Sequence, residues 1–262
     1  MICTPLHLAC ADDDDLESVK AVVDDIKQTP FLDKWLAAEC RTCTSEAKGE
    51  FTTPFQMVCR RGYLNVAKWF VSECKVDPRL PNCGRMTPLH FACLGGHFDV
   101  AKWLVNEHKL DPNLKDADEC TPLQLAFWSS NSTLVKWLVN EGKADPHTVS
   151  KDGVTLLHVA CHANQLELVE WLVNECKLDP ECTNGDGDTP LHIACGNGHL
   201  EVVEWLVNEC KVDPNMRNVE GDTPLQLALK SRQPKVVKWL VNECDVTCSR
   251  KKGRYELFIN DA

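Results

Sequence analysis

Four histidine–cysteine pairs stand three residues apart in this chain: His7/Cys10, His90/Cys93, His158/Cys161 and His192/Cys195. On a helix that spacing sets both side chains on one face, so each pair resembles half of a tetrahedral zinc site. Sixteen cysteines in all would also suit a disulfide framework in a small secreted protein. The acidic run Asp12 to Asp15 invites a calcium reading, but it lacks the spaced ligands and the glycine of an EF-hand loop. A solvated acidic helix start accounts for it better. The sequence holds no glycine-rich phosphate loop, no GxSxG elbow and no HExxH helix.

The elements that carry these residues recur, and the recurrence decides between the chemistries. Thr53, Thr87, Thr121, Thr155, Thr189 and Thr223 are each 34 residues apart, and Trp69, Trp103, Trp137, Trp171, Trp205 and Trp239 follow them at an offset of 16. Cys10, Cys59, Cys93, Cys161 and Cys195 share one column of this register, six residues after the threonine; Cys40, Cys74, Cys176, Cys210 and Cys244 share another near the end of a second helix. A cysteine that returns in register fills a small apolar pocket that returns with it. Reduced, buried thiols follow, with no metal and no disulfide.

Asp188 to Asn215 is the cleanest unit. Thr189 is an N-cap, with Pro190 at the first helical position, where its missing N–H costs nothing. Leu191, Ile193, Ala194 and Cys195 give a small apolar face, and Gly196-Asn197-Gly198 ends the helix. A second helix is predicted from about Leu200 to Cys210, with Leu200, Val203, Leu206 and Val207 on one face and Glu201 and Glu204 on the other. Asp213-Pro214 stops it, and a polar stretch bearing Gly221 makes a hairpin-like turn. Helices this short are marginal alone, so stacked neighbours must supply the core.

This unit closely resembles the ankyrin repeat. The family's TPLH tetrapeptide stands as Thr4-Pro5-Leu6-His7, Thr87-Pro88-Leu89-His90 and Thr189-Pro190-Leu191-His192, with variants beginning at Thr53, Thr121, Thr155 and Thr223; GH pairs occur at Gly96-His97 and Gly198-His199. The resemblance covers essentially the whole chain. It implies an all-α repeat solenoid of helix–turn–helix units joined by β-hairpin-like loops, about seven repeats with a partial C-terminal one. It also implies that the motif's histidine ties neighbouring units together. As one ankyrin-repeat domain over 1–262, the units fall at about 1–44 (with an insertion), 45–77, 78–111, 112–145, 146–179, 180–213 and 214–245, with a partial cap at 246–262.

The first unit is irregular. Thr4 to Thr53 is 49 residues. Trp35 and Cys40 are in phase with later units, which puts the extra residues before Trp35. Leu16, Val19, Val22, Val23 and Ile26 read as an amphipathic helix and Phe31 to Cys40 as another, so a lengthened or broken second helix is expected, with its standard segment left open. An abrupt start at Met1 also suits a fragment of a longer array.

Net charge is −11, which disfavours a nucleic-acid partner needing many phosphate contacts. No stretch approaches the ~18 apolar residues of a membrane span, and the N-terminus has no secretory pattern. A cytoplasmic or nuclear, reducing location and a monomer are expected. No cofactor is implied, and the chain reads as no enzyme.

Protein partners are what the resemblance implies, bound at hairpin tips and groove-facing helix ends. The column seven residues after the threonine holds Arg60, Leu94, Trp128, His162, Gly196 and Lys230, which share no packing chemistry. Trp128 is the one tryptophan outside the repeating column, and Trp and Arg are enriched in binding hot spots; the other reading of Trp128 is a ring folded over the glycine-less turn of its own unit, sealing a local gap. The candidate contact residues are therefore Trp128, Arg60, Arg61, Leu94, His162 and Lys230 on helix ends, with Arg85, Asp118, Glu119, Lys151, Asp152 and Asp188 on hairpin tips. The periodic tryptophans are expected in the core, with Trp171→Ala costing ~3–5 kcal/mol. Other readings of the same chain are a regulatory or targeting segment of a larger enzyme or channel, a redox- or metal-responsive protein, and a structural spacer.

Overall fold

A computed structural model describes residues 16–27, 52–129 and 131–244. Expectations for His7, Cys10, Asp12 to Asp15, Trp35, Cys40 and the tail from 245 lie outside these residues. The described residues form thirteen helices: α1 (Leu16–Lys27), α2 (Pro54–Arg61), α3 (Leu64–Ser72), α4 (Pro88–Leu94), α5 (Phe98–Asn106), α6 (Pro122–Trp128), α7 (Ser132–Asn140), α8 (Leu156–His162), α9 (Leu166–Asn174), α10 (Pro190–Asn197), α11 (Leu200–Asn208), α12 (Pro224–Lys230) and α13 (Pro234–Glu243). The chain divides into two compact units, Met1–Asp145 and Pro146–Ala262.

In the first unit α2, α4 and α6 stack in order, and α1, α3 and α5 stack behind them. The second unit repeats the plan with α8, α10 and α12 in one row and α9, α11 and α13 in the other. Because α1 packs on α3, with Val19 and Val23 fully buried, Leu16–Lys27 occupies the second-helix place in its repeat. The sequence had left that place open between this segment and the one bearing Trp35, which lies outside the described residues.

Each first helix starts where the threonine column predicts. Thr189 Oγ1 accepts from the His192 amide at 3.4 Å, and the His192 Nδ1 lies 3.2 Å from the Thr189 amide. Thr53, Thr121 and Thr223 make the same reciprocal cap with Gln56, Gln124 and Gln226, so two orphan amides are satisfied at once. Gly198 ends α10 with φ 79°. Leu156, standing where other units have proline, opens α8 and is fully buried.

The core follows the helical period with one shift. On α11 the buried set is Val202, Val203 and Leu206; Val207 is only half-buried. The tryptophans shift in the same way. Trp103 and Trp137 are buried, but Trp69, Trp171, Trp205 and Trp239 are half-exposed. The fully buried position is the next residue: Phe70, Leu104, Leu138, Leu172, Leu206 and Leu240. Those face the stack, and a side chain one residue earlier is turned about 100° around the helix, to the rim of the buried stripe. Trp103 and Trp137 thus belong to the core, Trp137 lying edge-on to Phe98 of the preceding repeat at 5.5 Å, while Trp69, Trp171, Trp205 and Trp239 lie at its rim.

The cysteine columns split likewise. Cys59, Cys93, Cys161 and Cys195 are completely buried, and burial pushes their thiol pKa values up. Cys74, Cys176, Cys210 and Cys244 lie just beyond their helices, half-buried.

Hairpins are held by a column that the sequence reading passed over. Asn82, Asp116, Ser150, Asn184 and Asn218 each accept, through a side-chain oxygen, the amide four residues on, at 2.8–3.2 Å. Successive tips are joined by backbone, Ala117 to Gly84 in the first unit and Val219 to Asp186 in the second.

Candidate protein-binding surface

One ion pair fixes which side of the repeat the variable helix-end column occupies. Lys230, the last residue of α12, reaches back to its own hairpin, pairing with the Asp222 carboxylate and lying 3.5 Å from Glu220 Oε2. The Asp222 hydrogen bond and charge hold the Lys230 ammonium above its usual pKa. The column of Arg60, Leu94, Trp128, His162 and Lys230 therefore stands on the hairpin side, and in the 34-residue register Trp128, Asp118 and Cys120 are the first-unit counterparts of Lys230, Glu220 and Asp222.

In the first unit the stacked ends of α2, α4 and α6 present Arg60, Leu94 and Trp128 in a row. Arg60 and Leu94 are half-buried and Arg61 is exposed. Trp128 is 54% exposed, while Phe127 beside it is fully buried. Among the described residues neither Arg60 nor Arg61 has a carboxylate partner. Arg85, Asp118 and Glu119 lie exposed on the hairpin tips; Glu119 Oε2 is 3.7 Å from Lys115 Nζ. Arg85 and Glu119 both have φ 60°, the left-handed conformation that other tips assign to glycine at Gly153, Gly187 and Gly221.

In the second unit Lys151, Asp152 and His162 are exposed. Two of the proposed contact residues are occupied internally. Lys230 is tied to its hairpin, and Asp188 accepts from Asn218 Nδ2 at 2.8 Å while its backbone carbonyl meets His158. Their first duty is to build the hairpins.

The three His–Cys pairs among the described residues are structural at both ends. His90, His158 and His192 place Nε2 at 3.3, 2.9 and 3.1 Å from the carbonyls of Cys120, Asp188 and Asp222, one repeat on. A carbonyl only accepts, so Nε2 carries the proton and Nδ1 accepts the threonine amide. Both ring nitrogens are thus engaged with protein, and the paired cysteine of each is buried in the core. A second set of ties repeats at the turn between the two helices: His199 Nε2 lies 3.0 Å from the His162 carbonyl, Asn131 Nδ2 donates to the Gly96 carbonyl, and Gln233 Nε2 to the Gly196 carbonyl.

The family model for ankyrin repeats (three copies) matches residues 6–116, 55–151, 108–184 and 157–250. The chain belongs to the ankyrin-repeat family. Its helix pairs are the all-helical repeat solenoid of that family, in which the TPLH histidine and the GH-position residue tie one repeat to the next. A chain in a solved structure of the Bd0816 predatory endopeptidase from Bdellovibrio bacteriovorus in complex with immunity protein Bd3460 is similar. It shares 24% identity with a TM-score of 0.64, over 72% of this chain and 97% of that chain. That likeness concerns the fold. No curated protein sequence matches this chain.

Within these ankyrin repeats the structure also exposes apolar residues that the sequence reading had not singled out. Leu80 and Leu114 are exposed on first-unit hairpins, and Val219, at 71% exposure, tops a second-unit tip. The signal was present as an apolar residue in an otherwise polar turn. No helix among the described residues is long and apolar enough to cross a membrane.

Proposed function

We propose that this ankyrin-repeat protein is a non-catalytic protein–protein interaction module, an adaptor or scaffold that binds a partner protein through its hairpin-side helix ends and tips. Trp128 carries the reading. A tryptophan that leaves over half its surface in water loses hydrophobic stabilisation that a partner would restore. Leu94, Arg60 and Arg61 share its row, and the two arginines have no carboxylate partner among the described residues, which fits the chemistry of interface anchors.

A photo-crosslinking amino acid placed at position 128, at 61, and at 102 on the solvent face of α5 tests it in cell lysate. The reading expects a common set of proteins captured from 128 and 61 and missing from 102. Capture that is indifferent to position, or absent from 128 and 61, would overturn it.

A further inference from the structure

We propose that the first-unit row binds an extended, charge-segregated peptide segment, with carboxylates at one end and an arginine about five to six residues away. This inference rests on the proposed function above and names the kind of partner that its surface fits.

The two ends of the row differ in charge. At the α2 end, Arg60 and Arg61 are cations with no carboxylate partner among the described residues. In the second unit the same column position is Lys230, whose charge is already met by Asp222 and Glu220. The contrast leaves the first unit with charge that an outside carboxylate can meet, and a guanidinium takes a carboxylate bidentately. At the α6 end the exposed Trp128 is the register counterpart of Lys230, which reaches its own hairpin, and the matching first-unit tip carries Asp118 and Glu119. Glu119 is shared with Lys115 at 3.7 Å. An indole face next to an exposed carboxylate suits an arginine, whose flat cation stacks on the ring and pairs with the acid. A carboxylate placed there would be repelled by Asp118 and Glu119, so the surface also sets the direction of the bound chain.

The spacing comes from the stack. Packed helices lie about 8–10 Å apart, so α2 to α6 spans on the order of 16–20 Å. An extended chain rises about 3.3 Å per residue, so its two anchor points fall about five to six residues apart. Leu94, half-buried between them, leaves a shallow apolar step for a side chain midway.

The test is a displayed library of random peptides of about 12 residues, selected in parallel on the wild type, on Arg60→Glu/Arg61→Glu, and on Asp118→Lys, each shown to be folded by circular dichroism. The wild type should enrich peptides with acidic residues and an arginine about five to six apart. The arginine reversal should lose the acidic requirement, and Asp118→Lys should lose the basic one. By anisotropy of the leading labelled peptide, Arg60→Glu/Arg61→Glu and Trp128→Ala should each weaken binding at least tenfold. Raising salt from about 50 mM to about 500 mM should weaken it as well. Enriched peptides that are apolar or of one charge, yet are still lost with Trp128→Ala, would overturn the charge-segregated partner while leaving the interaction surface in place. Peptides that bind regardless of Trp128, Arg60 and Arg61, or a selection that yields none, would overturn both.

Discussion

His158 Nε2 donates to the carbonyl of Asp188 at 2.9 Å, while its Nδ1 accepts the Thr155 amide. One ring thereby caps its own helix and holds the hairpin of the following repeat. The arrangement requires a neutral imidazole, because a proton on Nδ1 would face an N–H donor. Burial lowers the pKa of His158, His192 and His90, the last to about 4.

These depressed values make stability depend on pH. The unfolded chain takes up protons on these histidines near pH 6.5, before the folded chain does. Stability is therefore full above that value and falls as pH drops below it, for His90 until about pH 4. At pH 5 His90 alone should account for about 2 kcal/mol. Gln already fills the position at Gln56, Gln124 and Gln226 with the same cap. A triple His90→Gln/His158→Gln/His192→Gln variant keeps the caps but gives up the Nε2 bonds to the next hairpins. It should therefore be less stable than the wild type in urea melts at pH 7.5 and lose less further stability on going to pH 5. Parallel losses in the two proteins would refute this.

Burial ranks three neighbouring substitutions. Leu172 is fully buried, Trp171 half-exposed and Trp128 54% exposed. Leu172→Ala should cost about 2–5 kcal/mol, Trp171→Ala less than that, and Trp128→Ala under about 1 kcal/mol, as exposed surface changes usually do. Urea melts at pH 7.5 give the order, and a Trp128→Ala loss equal to that of Leu172→Ala would mean the ring is packed.

Two glycines with φ 79° separate backbone strain from crowding. A Cβ at Gly198 would come 2.2 Å from Gln233 Oε1, whereas one at Gly221 meets nothing within 4 Å. Gly221→Ala should cost only the left-handed strain, about 1 kcal/mol. Gly198→Ala should cost more, since Gln233 must give up its bond to the Gly196 carbonyl. Equal thermal shifts would show that Gln233 yields freely.

Thiol reactivity should follow the two cysteine columns. Cys59, Cys93, Cys161 and Cys195 should react with a disulfide reagent only after denaturation. Exposed Cys83 should react at once. Mass mapping of early-labelled peptides checks the assignment; rapid labelling of Cys93 or Cys195 in the folded protein would contradict the burial.

By itself the sequence determined the repeat, its register, the caps and the helix ends. Those are local: a threonine cap, a proline at the first turn and a glycine at the end act within three or four residues. It also determined that Trp128 stands outside the repeating tryptophans, and hence that it needed a separate account. What only tertiary structure decided depends on the neighbouring repeat. Whether Trp171 or Leu172 faces the stack is a matter of helix rotation against α11, and both are large and apolar. That Leu16–Lys27 sits beside α3 is a packing contact with no sequence mark. Lys230 and Arg60 share a column, yet one meets carboxylates on its own hairpin and the other meets none among the described residues. A charge read from sequence has a sign and a register; only the fold gives it a partner.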